Sequence, residues 1–578
     1  MKFNWSLAAP RPDLCGPLAD ALHITPLLAQ CLANRGLVEP EPINRFLQPR
    51  LKNLGDPFLI PNMAAAVERL LAARQLGQLV VIFGDYDVDG VTSAALLIES
   101  LSALGWRVEC YLPHRLEDGY GLSADGIAHC LQKFPVKLLL AVDCGSTAVE
   151  VIGQLRRDGI DVIVLDHHQV SNPEPAAVAL VNPQLGADFR ELCSAGLAFK
   201  LVHALLKRMR ESGIEVAAAV DVRTQLDLVA LGTIADLAPL VGENRVLVAA
   251  GLERLNATRR PGLLALKKVA GSPAIVGGYE VGFQLAPRLN AAGRLEDAHG
   301  ALQLLLTHDP AEAGFLAGQL DESNRRRREI ERTICDEMVK RVRARFDAQR
   351  DFVIVEGSAE WHIGVVGIVA SRVLQEFYRP TVIFGGDGQN WRGSGRSIEG
   401  FDLAAALRGC EELLLRHGGH AMAAGLSIHS EKVDLLRERL NGLAQAAFRP
   451  EQLQPCLKLD AEVASSELGV EQIEELERLA PMGQGNPAVR LALRGLSHRM
   501  PPRPMGRDNQ HVKLSLTDGR QTLEAVWWNG GNAAWPENRF DIAFTPEIND
   551  YKGRRSVQLK LLDWRPCADP SIPVPPPR

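Results

Sequence analysis

Asp85, Asp87 and Asp89 stand at i, i+2 and i+4 in VVIFGDYDVDGVTSAALL, directly after an apolar run. Three carboxylates this close repel one another and resist full ionisation. A hard divalent cation takes oxygen ligands and removes the conflict. Gly84 and Gly90 flank the acids and let the backbone turn tightly. The later Glu of an EF-hand loop is missing, which argues against calcium sensing. Alone, this segment also reads as an acid-rich turn closing a strand. Two further segments weigh against that. LLLAVDCG ends on Asp143, and DVIVLDHHQV ends on Asp166, His167 and His168. Asp236 is a fourth candidate, a lone acid in the apolar LVALGTIADLAPL, where a buried carboxylate needs a partner or a metal. Asp and His together suit Mn²⁺ or a similar borderline metal better than calcium. Two adjacent histidines point different ways, so one can ligate metal while the other faces substrate.

Strands must position these groups. LVVIF (79–83), VKLLLAV (136–142) and DVIVL (161–165) are short β-branched runs, each followed by a helical pattern. Such alternation predicts a mostly parallel sheet covered on both faces. Ligand sites in open α/β sheets lie beyond the carboxyl ends of the strands, where the acids would converge. Residues 309–349 read as one long polar helix. Asp321–Arg350 carries ten Lys/Arg against seven Asp/Glu, and Arg325–Arg328 reads as a solvated face, with nucleic-acid contact as the alternative. A second α/β pattern starts at DFVIVEG. The runs HVKLSLTDG, TLEAVWW, FDIAFTPEI and RSVQLKLLDW then predict a small all-β barrel. The expected divisions are 1–308, an N-terminal region with the catalytic domain; 309–349, the connecting helix; 350–450, the second α/β domain; 451–568, the barrel; and 569–578, a disordered tail.

Composition narrows the function classes. The chain has 578 residues, 46% hydrophobic and 23% charged, as for three or four globular domains. A net charge of −6 excludes a uniformly basic coat but leaves room for a local basic groove. No apolar run approaches the roughly 18–20 residues that span a bilayer. MKFNWSLAAPRPD lacks a signal-peptide core, so a cytoplasmic protein is expected. Ten cysteines without a C-x-x-C pair point to reduced thiols, not to a disulfide framework or a zinc ribbon.

Other residues could hold a nucleic acid. Arg288, Asn290 and Arg294 in APRLNAAGR offer donors suited to phosphate oxygens, or cap a turn at a domain join. Ser394, Arg396 and Ser397 lie among glycines in GSGRSIEG, where backbone N–H groups could form an anion nest. His420 follows two glycines that permit close approach, or form a plain turn at a helix start. Lys513, Trp527, Trp528, Tyr551, Lys552, Arg554 and Arg555 could stack on bases and contact phosphates, although some belong to the core.

GDYDVDG, AVDCG, LDHHQ and GTIADLAPL, in that order, resemble the four motifs of the DHH phosphoesterase superfamily. YLPHRLEDGYGLS, FQLAPRLNAAGR, WHIGVVGIVASR, GSGRSIEGFDL and GGHAMAAG extend the likeness from about residue 40 to about residue 565, toward its bacterial single-strand-specific DNA exonucleases. The resemblance implies an α/β fold: a DHH-type parallel-sheet domain, joined by the long helix to a smaller DHH-associated domain across a cleft, then an OB-fold. It implies two ions, Mn²⁺ or Mg²⁺. Asp87, Asp89, Asp143, His167 and Asp236 would be ligands, Asp85 would belong to the same cluster, and Asp143 would bridge. His168 would neighbour the scissile phosphate. The chemistry would be in-line attack by an activated hydroxide, with no protein nucleophile. The implied activity is 5′→3′ degradation of single-stranded DNA in recombination and repair, by a monomer with no membrane association that acts at the nucleoid. Its partners would be a single-strand-binding protein and a recombination helicase. The alternatives are a DHH enzyme acting on short RNA, dinucleotides or pyrophosphate, and a non-catalytic replication scaffold. The long chain and OB-like tail oppose the first, and the intact carboxylates oppose the second.

Overall fold

Five short strands, the inner ones apolar, pair in parallel to form the first sheet. Its spatial order is Arg107–Tyr111, Leu79–Gly84, Leu138–Val142, Asp161–Leu165, Ala179–Val181. The strand Leu138–Val142 is buried throughout, because helices cover both faces. The order reverses between Leu79–Gly84 and Leu138–Val142, so the crossovers from these two strands leave in opposite directions. That switch point opens a crevice at the carboxyl ends, and Asp85 and Asp143 are the next residues of the two strands. The structure, a computed structural model, describes residues 3–567 apart from 116, 117, 120, 296, 387, 532–535, 537 and 552. Lys552 and the 569–578 tail therefore lie outside the described residues.

The long helix runs Pro310–Arg343. It stops before 349 because Asp347 turns the chain: its carboxylate accepts from Gln349 N, and its own N–H donates to Asp351. Ala313, Leu316, Ala317 and Leu320 pack into the catalytic core, while Ile334, Met338 and Val342 pack into the second domain. The helix thus spans the gap between two cores. Arg325–Arg328 lies in that gap and is not uniformly solvated. Arg327 is buried, 3.1 Å from Glu331 and 3.0 Å from Asn324 Oδ1. A buried guanidinium needs such partners.

The second domain is a five-stranded mixed sheet in the order Leu414–His420, Ala423–His429, Asn390–Arg396, Thr381–Gly385, Ile354–Ser358. The C-terminal strands close into a barrel, since Leu491–Met505 pairs with both His511–Thr517 and Phe540–Tyr551. The sequence grouped residues 1–308 together, but the first segment belongs spatially with the barrel. Asn4–Leu7 pairs in parallel with Cys456–Leu459. Leu28, Leu32 and Ile43 share a core with Leu514, Phe540 and Phe544. Arg245, 1% exposed, ties this body to the catalytic domain: it donates to carbonyls of Phe46, Arg478, Leu479, Ala480 and Pro481. Among the described residues no helix is long and apolar enough to cross a membrane.

Candidate metal centre and nucleic-acid cleft

The acids are fixed by backbone donors. Asp87 caps the helix Val88–Ala103, its Oδ1 accepting from Asp89 N at 2.9 Å and Gly90 N at 3.2 Å. Asp89 is buried, and its two oxygens accept from Ser194 N (2.7 Å) and Ala195 N (2.9 Å), at the start of the helix Ser194–Glu211. Asp143 adopts φ 63°, a left-handed conformation uncommon for a side-chain-bearing residue, and accepts from Ser194 Oγ at 2.9 Å. Gly90 serves close approach: a Cβ there would lie 2.4 Å from the Asp85 carbonyl oxygen. Asp236 caps the end of the helix Leu226–Ala235 and is partly exposed, not enclosed in the apolar stretch as its sequence context suggests.

The predicted ligands come together. His167 Nε2 lies 3.3 Å from Asp143 Oδ1, 3.8 Å from Asp236 Oδ2 and 3.9 Å from Asp89 Oδ2. Among the described residues three groups have ligand atoms within 4.8 Å of one another: Asp89, His167 and Asp236; Asp85, Asp87 and Asp143; and Asp143, His167 and His168. The donor set fits divalent cations. His167 Nε2 is buried among carboxylates yet makes no hydrogen bond among the described residues. Burial, then neighbouring carboxylates, drives the Asp85 and Asp236 pKa values up to about 8 and raises that of Asp143 well above the usual range. Burial also lowers the His167 pKa, which keeps its ring neutral, the form that ligates. Carboxylates resisting ionisation beside a neutral imidazole are relieved by positive charge.

Asp166, one of the acids expected to converge at the strand ends, engages the histidines, and Ser194 and Gly232 carry no local signal in the sequence. Asp166 Oδ1 lies 2.7 Å from His168 Nδ1 and also accepts from the N–H groups of His167 and His168, while Oδ2 accepts from Ser146 N. Burial alone would lower the His168 pKa, but its bond to Asp166 outweighs this and lifts it to about 9. Gly232 packs so tightly that a Cβ would sit 2.6 Å from Thr92 Oγ1 and 2.8 Å from Asp89 Oδ1.

The nucleic-acid candidates divide. A cleft of about 1180 Å³ has His167, His168 and Asp236 on one wall and Arg416, His417 and His420 on the other. His420 ends a strand and is not at a helix start. The expected nest of backbone N–H groups is absent: residues 390–396 form a strand paired on both edges, so ladder bonds occupy them. The glycines there admit neighbours, as Gly393 does for the Phe384 ring. Ser397 is buried and donates to the Phe401 carbonyl. Arg396 donates to Ser394 Oγ and the Gly395 carbonyl. Arg288 is engaged by Asp321 at 2.9 Å, and Asn290 Oδ1 accepts from Val88 N at 3.1 Å, so both bind the protein itself. Arg294, burial of which lowers its pKa to about 10, donates among the described residues to the Gly364 carbonyl. It feels the like charges of Arg115 and Arg396. None of Arg115, Arg294 and Arg396 forms an ion pair among the described residues. Asp87 lies near Arg294 and Asp85 near Arg115, but the gathered guanidiniums keep donors that suit an anion. Arg115 lies in YLPHRLEDGYGLS, a segment that carried resemblance but no assigned role. In the barrel, Trp527 packs on the core while Trp528 is exposed, Lys513 pairs with Glu524 at 3.0 Å, and Arg555 pairs with Glu474.

Comparison with known proteins agrees with this layout. Residues 79–233 match the DHH family, N-terminal domain, residues 350–446 the DHHA1 domain, and residues 459–563 the RecJ OB domain. The single-stranded-DNA-specific exonuclease RecJ of Bacillus subtilis is 36% identical over 571 residues, covering 97% of this chain and 71% of its own. Its namesake in Escherichia coli is 34% identical over 566 residues, covering 93% and 95%. The crystal structure of RecJ in complex with Mn²⁺ from Thermus thermophilus superposes with a TM-score of 0.83 at 31% identity, covering 98% of this chain and 80% of that one. Identity at this level, sustained through three domains in one order, means that the chain belongs to the RecJ family of DHH phosphoesterases.

Proposed function

We propose that the protein is a metal-dependent exonuclease that degrades single-stranded DNA from its 5′ end, in recombination and repair. One observation carries this reading: an acid–histidine cluster suited to divalent cations opens onto a cleft whose other wall carries Arg416, His417 and His420. Asp89, His167 and Asp236 would hold one Mn²⁺ or Mg²⁺, Asp85 and Asp87 the other, with Asp143 between them. Bound there, two cations supply Lewis acidity toward the attacking water and the phosphate oxygens. The chain's own residues do the remaining work. Asp166 fixes the His168 ring, whose raised pKa keeps a proton on it near neutral pH, ready for a phosphate oxygen. Arg115, Arg294, Ser394, Arg396 and His420 hold the terminal phosphate, and that grip sets the adjacent phosphodiester at the acids. The barrel carries the following nucleotides, with Trp528 available for stacking.

The test uses linear strands labelled at each end and circular single strands, with Mn²⁺. Label should leave the 5′ end first and circles should survive. Efficient cutting of circles, or resection from the 3′ end, would overturn the end-anchored reading while leaving the metal cluster standing. The proposal extends to a cytoplasmic monomer that meets a single-strand-binding protein and a recombination helicase on the DNA. Light scattering of the purified chain and co-sedimentation with each purified partner check these points, and a stable dimer or absence of binding would refute them.

A further inference from the structure

Arg115 sits on the segment joining the strand Arg107–Tyr111 to the helix Ala124–Lys133. Its guanidinium lies 5.3 Å from the Tyr86 ring centroid, between Asp85 and Asp87 in sequence, and close enough to Arg294, Arg396 and His362 to perturb them. Asp85 attracts this guanidinium while the like charges of Arg294 and Arg396 repel it, so its position depends on how the backbone beneath it is held. Three residues on, Asp118 is 4% exposed and belongs to none of the ligand groups among the described residues. Its Oδ2 accepts from His114 N at 2.7 Å and Tyr111 Oη at 2.9 Å, and its Oδ1 lies 2.6 Å from His129 Nδ1. Its backbone N–H donates to the His114 carbonyl at 2.8 Å, and its carbonyl accepts from Ser123 Oγ at 2.6 Å. The Tyr111 ring stacks on Phe83 at 5.4 Å, two residues before Asp85.

We infer that Asp118 is a positioning residue that sets the Arg115 guanidinium against the terminal phosphate. One buried carboxylate closes the turn on both sides of Arg115 and, through Tyr111 and Phe83, registers it to the strand that delivers Asp85. Burial favours a protonated Asp118, but bonds from His114, His129 and Tyr111 outweigh it and keep the carboxylate ionised. His129 supplies the outer support, with its side chain half exposed. The inference rests on the reading of Arg115 as part of the phosphate grip.

The experiment measures steady-state cleavage of 5′-phosphoryl and 5′-hydroxyl oligonucleotides by the full chain with Mn²⁺. The variants are Arg115→Ala, Asp118→Asn, both together, and His129→Ala. Asp118→Asn should raise KM for the 5′-phosphoryl strand roughly tenfold, leave the saturated rate within about twofold, and hardly affect the 5′-hydroxyl strand. The double variant should be no worse than Arg115→Ala alone, because coupled residues do not add. His129→Ala, at the exposed edge, should move KM the same way by less, and it carries the test if Asp118→Asn does not fold. Equal losses on both strands, or losses that multiply in the double variant, would overturn the inference. If Arg115→Ala leaves the 5′-phosphate preference intact, the phosphate grip itself is wrong, and this inference falls with it. An effect of Arg115→Ala without one of Asp118→Asn or His129→Ala rejects the positioning role alone.

Discussion

His168 and Asp166 face each other across 2.7 Å, and the same carboxylate oxygen also takes the backbone N–H groups of His167 and His168. One acid thus fixes both histidines: the ring of one by its side chain, and the turn that presents the other by its backbone. His168→Ala should lower the saturated rate on single strands roughly 100-fold or more, as expected for a positioned proton donor. Asp166→Asn should lower it less, by about 10–100-fold, the usual cost of losing an orienting partner. Rates under single-turnover conditions check this, and an Asp166→Asn enzyme of wild-type rate would refute the orienting role.

Asp143→Ala should abolish hydrolysis with the fold retained, because Asp143 belongs to two of the ligand groups and adjoins the third. Circular dichroism reports the fold, and end-labelled substrate reports the rate. A folded variant that keeps more than about a tenth of the wild-type rate, a barrier change of roughly 1.4 kcal/mol, would show that the site is misassigned.

Metal removal should act on stability with a definite sign. The folded, metal-free chain holds protons on Asp85 and Asp236 up to about pH 8, whereas the unfolded chain releases them near 3.8. In that window the folded state binds more protons, so stability falls as pH rises. Cations displace those protons, so Mn²⁺ should raise Tm more at pH 8 than at pH 5. At about 100 times Kd the stabilisation is about 2.7 kcal/mol. Thermal melts in chelator and in Mn²⁺ at both pH values give the answer, and equal increments would contradict it.

Gly232→Ala should damage the site from behind. Its Cβ would fall 2.8 Å from Asp89 Oδ1 and 2.6 Å from the Ala195 Cβ, so something must shift. Overpacking of this kind costs about 1–3 kcal/mol. Lower Tm with weakened Mn²⁺ affinity by calorimetry is the expected pair, and unchanged metal affinity would mean that Asp89 does not move.

Trp528→Ala should weaken single-strand binding by about 1–3 kcal/mol, the range for one lost base stack, without changing the saturated cleavage rate. Trp527→Ala should instead lower Tm, since that ring packs on the barrel core. Fluorescence anisotropy and melting separate the two. Unaltered affinity in the Trp528 variant would take the nucleotides elsewhere.

The convergence of Asp85, Asp87, Asp89, Asp143 and His167 was legible in sequence because all sit within a few residues of strand ends, and the strands announce themselves by apolar runs. Ser194 and Gly232 were not, since nothing local marks a serine or a helical glycine that touches an acid far away in the chain. Glycine content misled at Ser394–Ser397: the same residues that form nests also admit aromatic rings against a strand, and composition does not distinguish them. Arg288 and Asn290 have the donors and acceptors that suit phosphate, but their partners, Asp321 and Val88 N, are set by tertiary packing.

The parallel pairing of Asn4–Leu7 with Cys456–Leu459 has a consequence for biosynthesis. The helices Pro12–Leu22 and Pro26–Asn34 leave the ribosome early, yet the barrel strands that cover their apolar faces follow more than 400 residues later. At cellular elongation rates that interval is on the order of a minute. The parallel sheet can complete itself meanwhile, so these two helices are among the last elements to find their place. Until then their leucines are client surface for chaperones, and a ribosome stalled before the barrel would release a chain whose catalytic half is built and whose opening helices are still uncovered.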